Sequence, residues 1–301
     1  MNVISASRRT DIPAFHPLWF MNRVRAGYVQ VVSPFGGGRH IVSLKGEDVI
    51  AMVFWTKDAG PLLPYLGELT DLGHCFTFLY TMNAYPRSIE PGVPELCHTL
   101  SVLESMAKRF PAAVVRWRYD TIVLTGELDR HWHVANFRDL CERLHPFSDE
   151  CIISFCDYYR KTIANMKRQV PDHLRPDEAQ CKDMAEELAA AAAEWSIRVL
   201  SCAHDFLVSE TVGISRCIDP AVLAEVVDNP SRRKAVTELR KAPSRNRCNC
   251  VASRDIGAYD TCGHGCVYCY ANSNPERARE NLGLIPVDGD CLYPRAIGTR
   301  V

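Results

Sequence analysis

Short apolar runs alternate with amphipathic ones along most of this 301-residue chain. Strands are expected at 3–6, 49–56, 75–81, 113–117, 151–155, 199–202 and 256–259. They are rich in β-branched and aromatic residues and nearly continuous in apolarity, the pattern of strands buried on both faces of a parallel sheet. Helical patterns fill the gaps at 17–25, 62–72, 94–109, 134–144, 176–195 and 220–227, and the Ala-rich run after Lys182 is a strong helix former. A β-α alternation repeated about seven times limits the fold to a parallel α/β sheet, closed as a (β/α) barrel or open as a partial barrel. Residues 29–33 and 41–44 read as a small hairpin around Gly36–Gly38. Residues 228–250 are basic and polar and read as a short helix and an excursion within the same unit. One barrel-like domain over 1–301 is expected, with 228–301 as a cysteine-rich segment closing it.

In such folds chemistry gathers at the C-terminal ends of the strands. These ends are polar here. They carry Ser7-Arg8-Arg9-Thr10-Asp11, Lys57-Asp58, Met82-Asn83, Arg118-Tyr119-Asp120, Asp157-Tyr158-Tyr159 and His204-Asp205. Solvent-facing loops alone would be served by Gly, Ser and Asn. Arg8, Arg9 and Arg118 can hold carboxylate or phosphate groups with two hydrogen bonds. Asp11, Asp120 and Asp157 can bind ribose hydroxyls or move protons. Trp55 and Tyr80 fit the core equally well.

The last expected strand leads into Cys262-Gly-His-Gly-Cys266-Val-Tyr-Cys269-Tyr-Ala-Asn272. Thiolates are the soft ligands that iron–sulfur clusters take, and three thiols in one short loop can hold three corners of a 4Fe–4S cubane. Gly263 and Gly265 let the loop turn, and Tyr268 places an aromatic ring beside it. A zinc site would need a fourth ligand, for which His264 is the local candidate, at the cost of a strained wrap. A second set, Cys202, Cys217 and the Cys248-Asn-Cys250 pair, is expected to form either an auxiliary cluster or a closed zinc site. Cys75, Cys151 and Cys156 lie in apolar runs and read as small core residues.

Composition narrows the setting. The chain has 47% hydrophobic residues, a net charge of −1 and 14 cysteines. The charge balance points to no nucleic acid, no run of ~18 apolar residues suggests a membrane span, and with no export signal at Met1 a reducing cytoplasm is expected.

Several segments resemble one family, the domain of unknown function numbered 1848. They are Ile4-Ser-Ala-Ser-Arg-Arg-Thr-Asp-Ile-Pro13, Val53-Phe-Trp-Thr-Lys57, Arg118-Tyr-Asp120, Cys217-Ile-Asp219, Asp255-Ile-Gly257 and the three-cysteine loop. The loop itself is similar to the cluster site of radical S-adenosylmethionine (SAM) enzymes, and its Tyr-Cys-Tyr ending looks like that of spore photoproduct lyases. That resemblance implies a cluster on Cys262, Cys266 and Cys269, SAM at its open iron, and an electron donor such as a flavodoxin or ferredoxin. SAM cleavage would yield a 5′-deoxyadenosyl radical that takes hydrogen from an unidentified substrate, small or macromolecular. On this reading Tyr268, Arg8, Arg9 and Asp11 contact the cofactor, while Trp55, Lys57, Arg118, Asp120 and Asp157 face the substrate. Radical SAM enzymes carry this loop after their first strand. Its place near the C-terminus implies a circularly permuted barrel in which 276–282 is the first helix. The Gly-Gly-Glu that usually contacts the SAM amino group is absent. Two other classes remain: a divalent-metal hydrolase or nuclease using Asp11, Asp120, Asp157 and His204, and a non-catalytic iron–sulfur protein sensing redox state or binding nucleic acid through residues 232–241.

Overall fold

Eight parallel strands form the main sheet of the computed structural model, which describes residues 1–33, 36, 38–242 and 248–292. In chain order the strands of the structure are β1 (Asn2–Ala6), β2 (Tyr28–Val32), β3 (Arg39–Ser43), β4 (Val49–Thr56), β5 (Phe76–Thr81), β6 (Val115–Ile122), β7 (Glu150–Phe155), β8 (Arg198–Ser201), β9 (Val212–Ile214) and β10 (Arg254–Asp255). The sheet order is β10-β1-β4-β5-β6-β7-β8-β9, while β2 and β3 form a separate antiparallel hairpin. Gly37, in the glycine run of that hairpin, lies outside the described residues.

The continuous apolarity of the strands has the expected meaning. Every residue of β4 is buried. Met52 and Phe54 pack into a large core with Phe76, Phe78, Tyr80, Trp117 and Tyr119. Ala51, Val53 and Trp55 alternate to the other face, where they join Val3, Leu79 and Ile152. Helices cover the first face: the 178–193 helix contributes Met184, Leu188 and Ala192, and the 130–144 helix contributes Phe137, whose ring stacks on Trp117 at 5.2 Å. The second face is covered by the chain from 217 to 242, through Ile218, Leu223, Val227 and Val236, and by Cys248, Cys250 and Val251. β9 and β10 are the two ends of the sheet order and share no ladder.

Three expectations are corrected. Residues 256–259 are not a strand. The last strand is the two-residue β10, pairing Ile4 with Arg254 and Ser5 with Asp255, and Ile256 N adds one bond to Ser5 O at 3.0 Å. The chain still returns beside its own first strand. The fourth expected strand does not end at Trp117 but runs to Ile122, so Arg118 and Asp120 lie within it. The apolar-polar alternation explains this: Trp117 and Tyr119 enter the helix-covered core, and Arg116 and Arg118 turn to the opposite face. The helix Arg160–Gln169 was not foreseen, because its sequence is mostly polar. Among the described residues no helix is long and apolar enough to cross a membrane.

Candidate functional site

Because the strands run parallel, the loops following β1, β4, β5 and β10 emerge on one side of the sheet. The three-cysteine loop is fixed there by its neighbours. Thr10 Oγ1 donates to Thr261 O at 2.9 Å, and His16 Nε2 stands 2.8 Å from the same carbonyl. Asn272 Nδ2 donates to Cys262 O at 2.8 Å, and Cys269 N donates to Cys266 O at 3.1 Å. Gly92 N donates to His264 O at 2.8 Å, and Val267 N to Ile89 O at 3.1 Å. Val267 is buried against Tyr85, Ile89, Val123 and Met166, which anchors the loop by apolar area. Gly265 has φ +71, a conformation that side chains resist, and a Cβ on Gly263 would sit 2.6 Å from the Phe15 ring.

His264 does not join the thiols. Its Nε2 lies 2.7 Å from Asp11 Oδ2, its Nδ1 lies 3.1 Å from Gly92 O, and the residue is 3% exposed. Asp11 is therefore a positioning residue. It also accepts from Ala14 N at 3.0 Å, Thr56 Oγ1 at 2.8 Å and Lys57 N at 2.7 Å. With these partners it is taken up in holding the loop to β4, rather than in binding a ribose or moving a proton as the sequence suggested.

The thiols lie in one electrostatic neighbourhood. Burial, then Asp11 and Cys269, pushes the Cys262 thiol up to about 12. Burial and Glu90 push Cys266 well above the ordinary thiol range, and burial raises Cys269, whose sulfur accepts from Ala271 N at 3.3 Å. A bound cation inverts this balance and favours the thiolates. Among the described residues no three or more His, Cys, Asp or Glu side chains converge on a common point as a single metal ion would need.

Beside Cys266 lies a buried polar cluster. Glu90, 2% exposed, accepts from Lys57 Nζ at 2.8 Å, from Asn83 Nδ2 at 2.9 Å and from the Tyr268 hydroxyl. Burial works to lower the Lys57 ammonium, but Glu90 and the Cys266 sulfur together hold it above its ordinary value. Asn83 Oδ1 accepts from Asp120 N at 2.9 Å, which ties this group to β6. Asp120 is in turn paired with Arg118 and accepts from Ser154 Oγ. Lys57, Asp120, Arg118 and Tyr268 thus stand together on the loop side of the sheet.

A second polar group centres on Asp255. Its carboxylate accepts from Ser5 Oγ at 2.6 Å, Ser7 Oγ at 2.8 Å, Arg8 N at 2.9 Å and Arg9 Nε at 3.0 Å. Burial alone would raise its pKa, but Arg9 and these donors hold it below the usual carboxylate value. Arg9 is thereby engaged with Asp255 within the protein. Arg8 lies over the Trp55 ring, with its carbon 4.7 Å from the centroid.

Asp157 follows β7. It lines a cavity of about 720 Å³ at the ends of β7 and β8, together with Cys156, Tyr158, Tyr159, Arg175 and His204. His204 Nε2 is 3.7 Å from Asp157 Oδ1, and its buried Nδ1 has no hydrogen-bond partner. The hydrolase reading needed Asp11, Asp120, Asp157 and His204 in one place, but Asp11 is committed to the cysteine loop, Asp120 to Arg118, and only the other two share this cavity. The nucleic-acid reading placed Arg232 on a basic surface. Arg232 is instead 5% exposed and is bonded to Asp228, Gly46 O and the Cys75 sulfur.

Sequence reasoning missed Glu90 and Asp255. Asp255 sat within the quoted Asp-Ile-Gly segment, a usable signal. Glu90 lies in a long connection between β5 and the next helix, where nothing in local pattern separates a buried carboxylate from a solvated one.

The family model described as Domain of unknown function (DUF1848) matches residues 3–271. The chain belongs to this family. The match spans the whole strand sequence and all three loop cysteines of this DUF1848 protein. No curated protein and no solved structure matches it.

Proposed function

We propose that this protein is an iron–sulfur enzyme of radical SAM type. The observation that carries the reading is the removal of His264 from the donor set. Asp11 and the Gly92 carbonyl engage both ring nitrogens, so the loop offers three thiols and no fourth protein ligand. A structural zinc site wants four ligands, whereas a cluster with one open iron wants three. Cys262, Cys266 and Cys269 would hold the cluster. When bound, it would supply the electron for reductive cleavage of SAM and so start radical chemistry.

The chain's own residues do the rest. Asp11, Thr10, His16 and Asn272 fix the loop backbone. Lys57, held protonated beside Glu90 and Cys266, places a positive charge next to a group whose thiolate ligands are negative. Arg118 and Asp120 present polar atoms from within β6 toward the same side.

The test is anaerobic reconstitution with iron and sulfide, followed by chemical reduction in the presence of SAM. Formation of 5′-deoxyadenosine, lost in Cys269→Ala, supports the reading. A reduced, intact cluster that neither binds nor cleaves SAM defeats it.

A further inference from the structure

Four other thiols meet elsewhere in the molecule. Cys202 follows β8, Cys217 follows β9, and Cys248 and Cys250 precede β10. None is more than 9% exposed, and all four belong to one buried cluster. Cys202 Sγ and Cys217 Sγ are 3.2 Å apart. Cys217 also contacts Cys250 through its side chain, and Cys250 contacts Cys248. Backbone amides point at the sulfurs: Ile218 N lies 3.4 Å from Cys250 Sγ, and Cys250 N lies 3.5 Å from Cys248 Sγ. The guanidinium groups of Arg118 and Arg8 act on Cys217.

We infer that Cys202, Cys217, Cys248 and Cys250 form a closed tetrathiolate site for one divalent ion of zinc type, which fastens the chain after β9 to the chain before β10. The spacing selects a single ion over a second cubane. At 3.2 Å the first two sulfurs are far beyond the ~2.05 Å of a disulfide. They are slightly inside the roughly 3.8 Å sulfur–sulfur edge of a tetrahedron with ~2.3 Å metal–sulfur bonds. As thiols the four form a chain of contacts rather than a shell around a point. Half an ångström or so of opening and a change of side-chain rotamer convert one into the other. Entry of a divalent ion displaces the four thiol protons to solvent and leaves a site of charge −2, which amide N–H groups and the two arginines offset. The location gives the site a structural task. β9 and β10 share no ladder, and the segments beside them meet through Val251 N to Ile218 O at 3.3 Å and Ile218 N to Cys250 Sγ at 3.4 Å. A metal at this point would hold the two ends of the sheet together through their loops.

The test uses the full chain with Cys262, Cys266 and Cys269 all changed to Ala, so that failure of the radical SAM reading cannot disguise the result. Metal analysis is expected to find about one zinc per chain, with a sulfur-only shell by X-ray absorption. Adding Cys248→Ser and Cys250→Ser should remove it. Should that variant fail to fold, exchange of the triple variant with cobalt(II) gives the same answer through the intense visible bands of a tetrahedral tetrathiolate. A triple variant that holds no metal and takes up no cobalt overturns the inference. So does one that retains four irons with sulfide, or one in which Cys202 and Cys217 are recovered as a disulfide after anaerobic purification.

Discussion

Two groups of cysteines serve this sheet in opposite ways. The three of the 262–269 loop come from one short segment and owe their placement to partners outside it, chiefly Asp11, Gly92 and Asn272. The four of the other group come from three separate segments and touch one another. A loop held from outside can keep its shape with or without its metal. A group assembled from distant segments makes the metal part of the fold. The first arrangement suits reactivity, and the second suits closure.

The sharpest way to break this contrast is to delete each group. Cys262→Ala/Cys266→Ala/Cys269→Ala should abolish iron–sulfur absorption after reconstitution while the melting temperature moves little. Cys248→Ser/Cys250→Ser should leave iron uptake measurable and lower Tm by more than ~5 °C, since 1 kcal/mol shifts a domain of this size by roughly 2–4 °C. Equal effects of the two variants on Tm would erase the distinction.

Glu90→Gln comes next. It leaves the Lys57 ammonium buried with its charge partner gone, which costs about 3–5 kcal/mol. Denaturant unfolding at neutral pH checks this. Lys57 is raised in the folded state, so its contribution is complete below the unfolded value of 10.5 and fades as pH rises through the folded one. The gap between parent and variant should hold at neutral pH and narrow only in strong alkali.

The β10 hub gives a smaller effect of opposite pH sign. Asp255→Asn removes the partner of Arg9 and should cost about 2–3 kcal/mol. Asp255 is depressed, so its contribution is present above the unfolded value of 3.8 and is lost as pH falls through the folded value. Parent and variant should converge in acid unfolding only once pH has fallen through that folded value, which lies below 3.8. A gap that persists there would mean that the loss came from packing rather than charge.

Smallest is Asp157→Asn. Its side chain is 37% exposed and 3.7 Å from His204, so stability should change by less than about 1 kcal/mol. Iron content and SAM cleavage without substrate should match the parent, because Asp157 lines the cavity at the ends of β7 and β8. Loss of cluster binding in this variant would make the cavity and the cysteine loop one functional unit.

The comparison also explains what could be read from the chain. β1, β4, β5, β7 and β8 were legible because burial on both faces writes continuous apolarity into each strand. β9 and β10 were not, being three and two residues long and too short to carry a pattern. The polar half of β6 read as a loop because Arg116, Arg118 and Asp120 are held by specific partners, Glu150, Ser154 and one another, that local pattern does not show. The three-thiol loop was legible because its ligands are neighbours in sequence. The role of His264 was not, since it is set by Asp11, 253 positions away. The four-thiol group was legible only as residue types, and its assembly depends on where β8, β9 and β10 fall in the sheet.

The central claim is that the loop cysteines leave one iron open beside Lys57, Glu90 and Tyr268. Electron paramagnetic resonance of the reduced, reconstituted protein, with and without SAM, tests it most directly. A cluster signal whose g-values shift on adding SAM, absent from the variant lacking the three loop cysteines, is the predicted result. A signal unchanged by SAM, or one that survives loss of those three thiols, would contradict it.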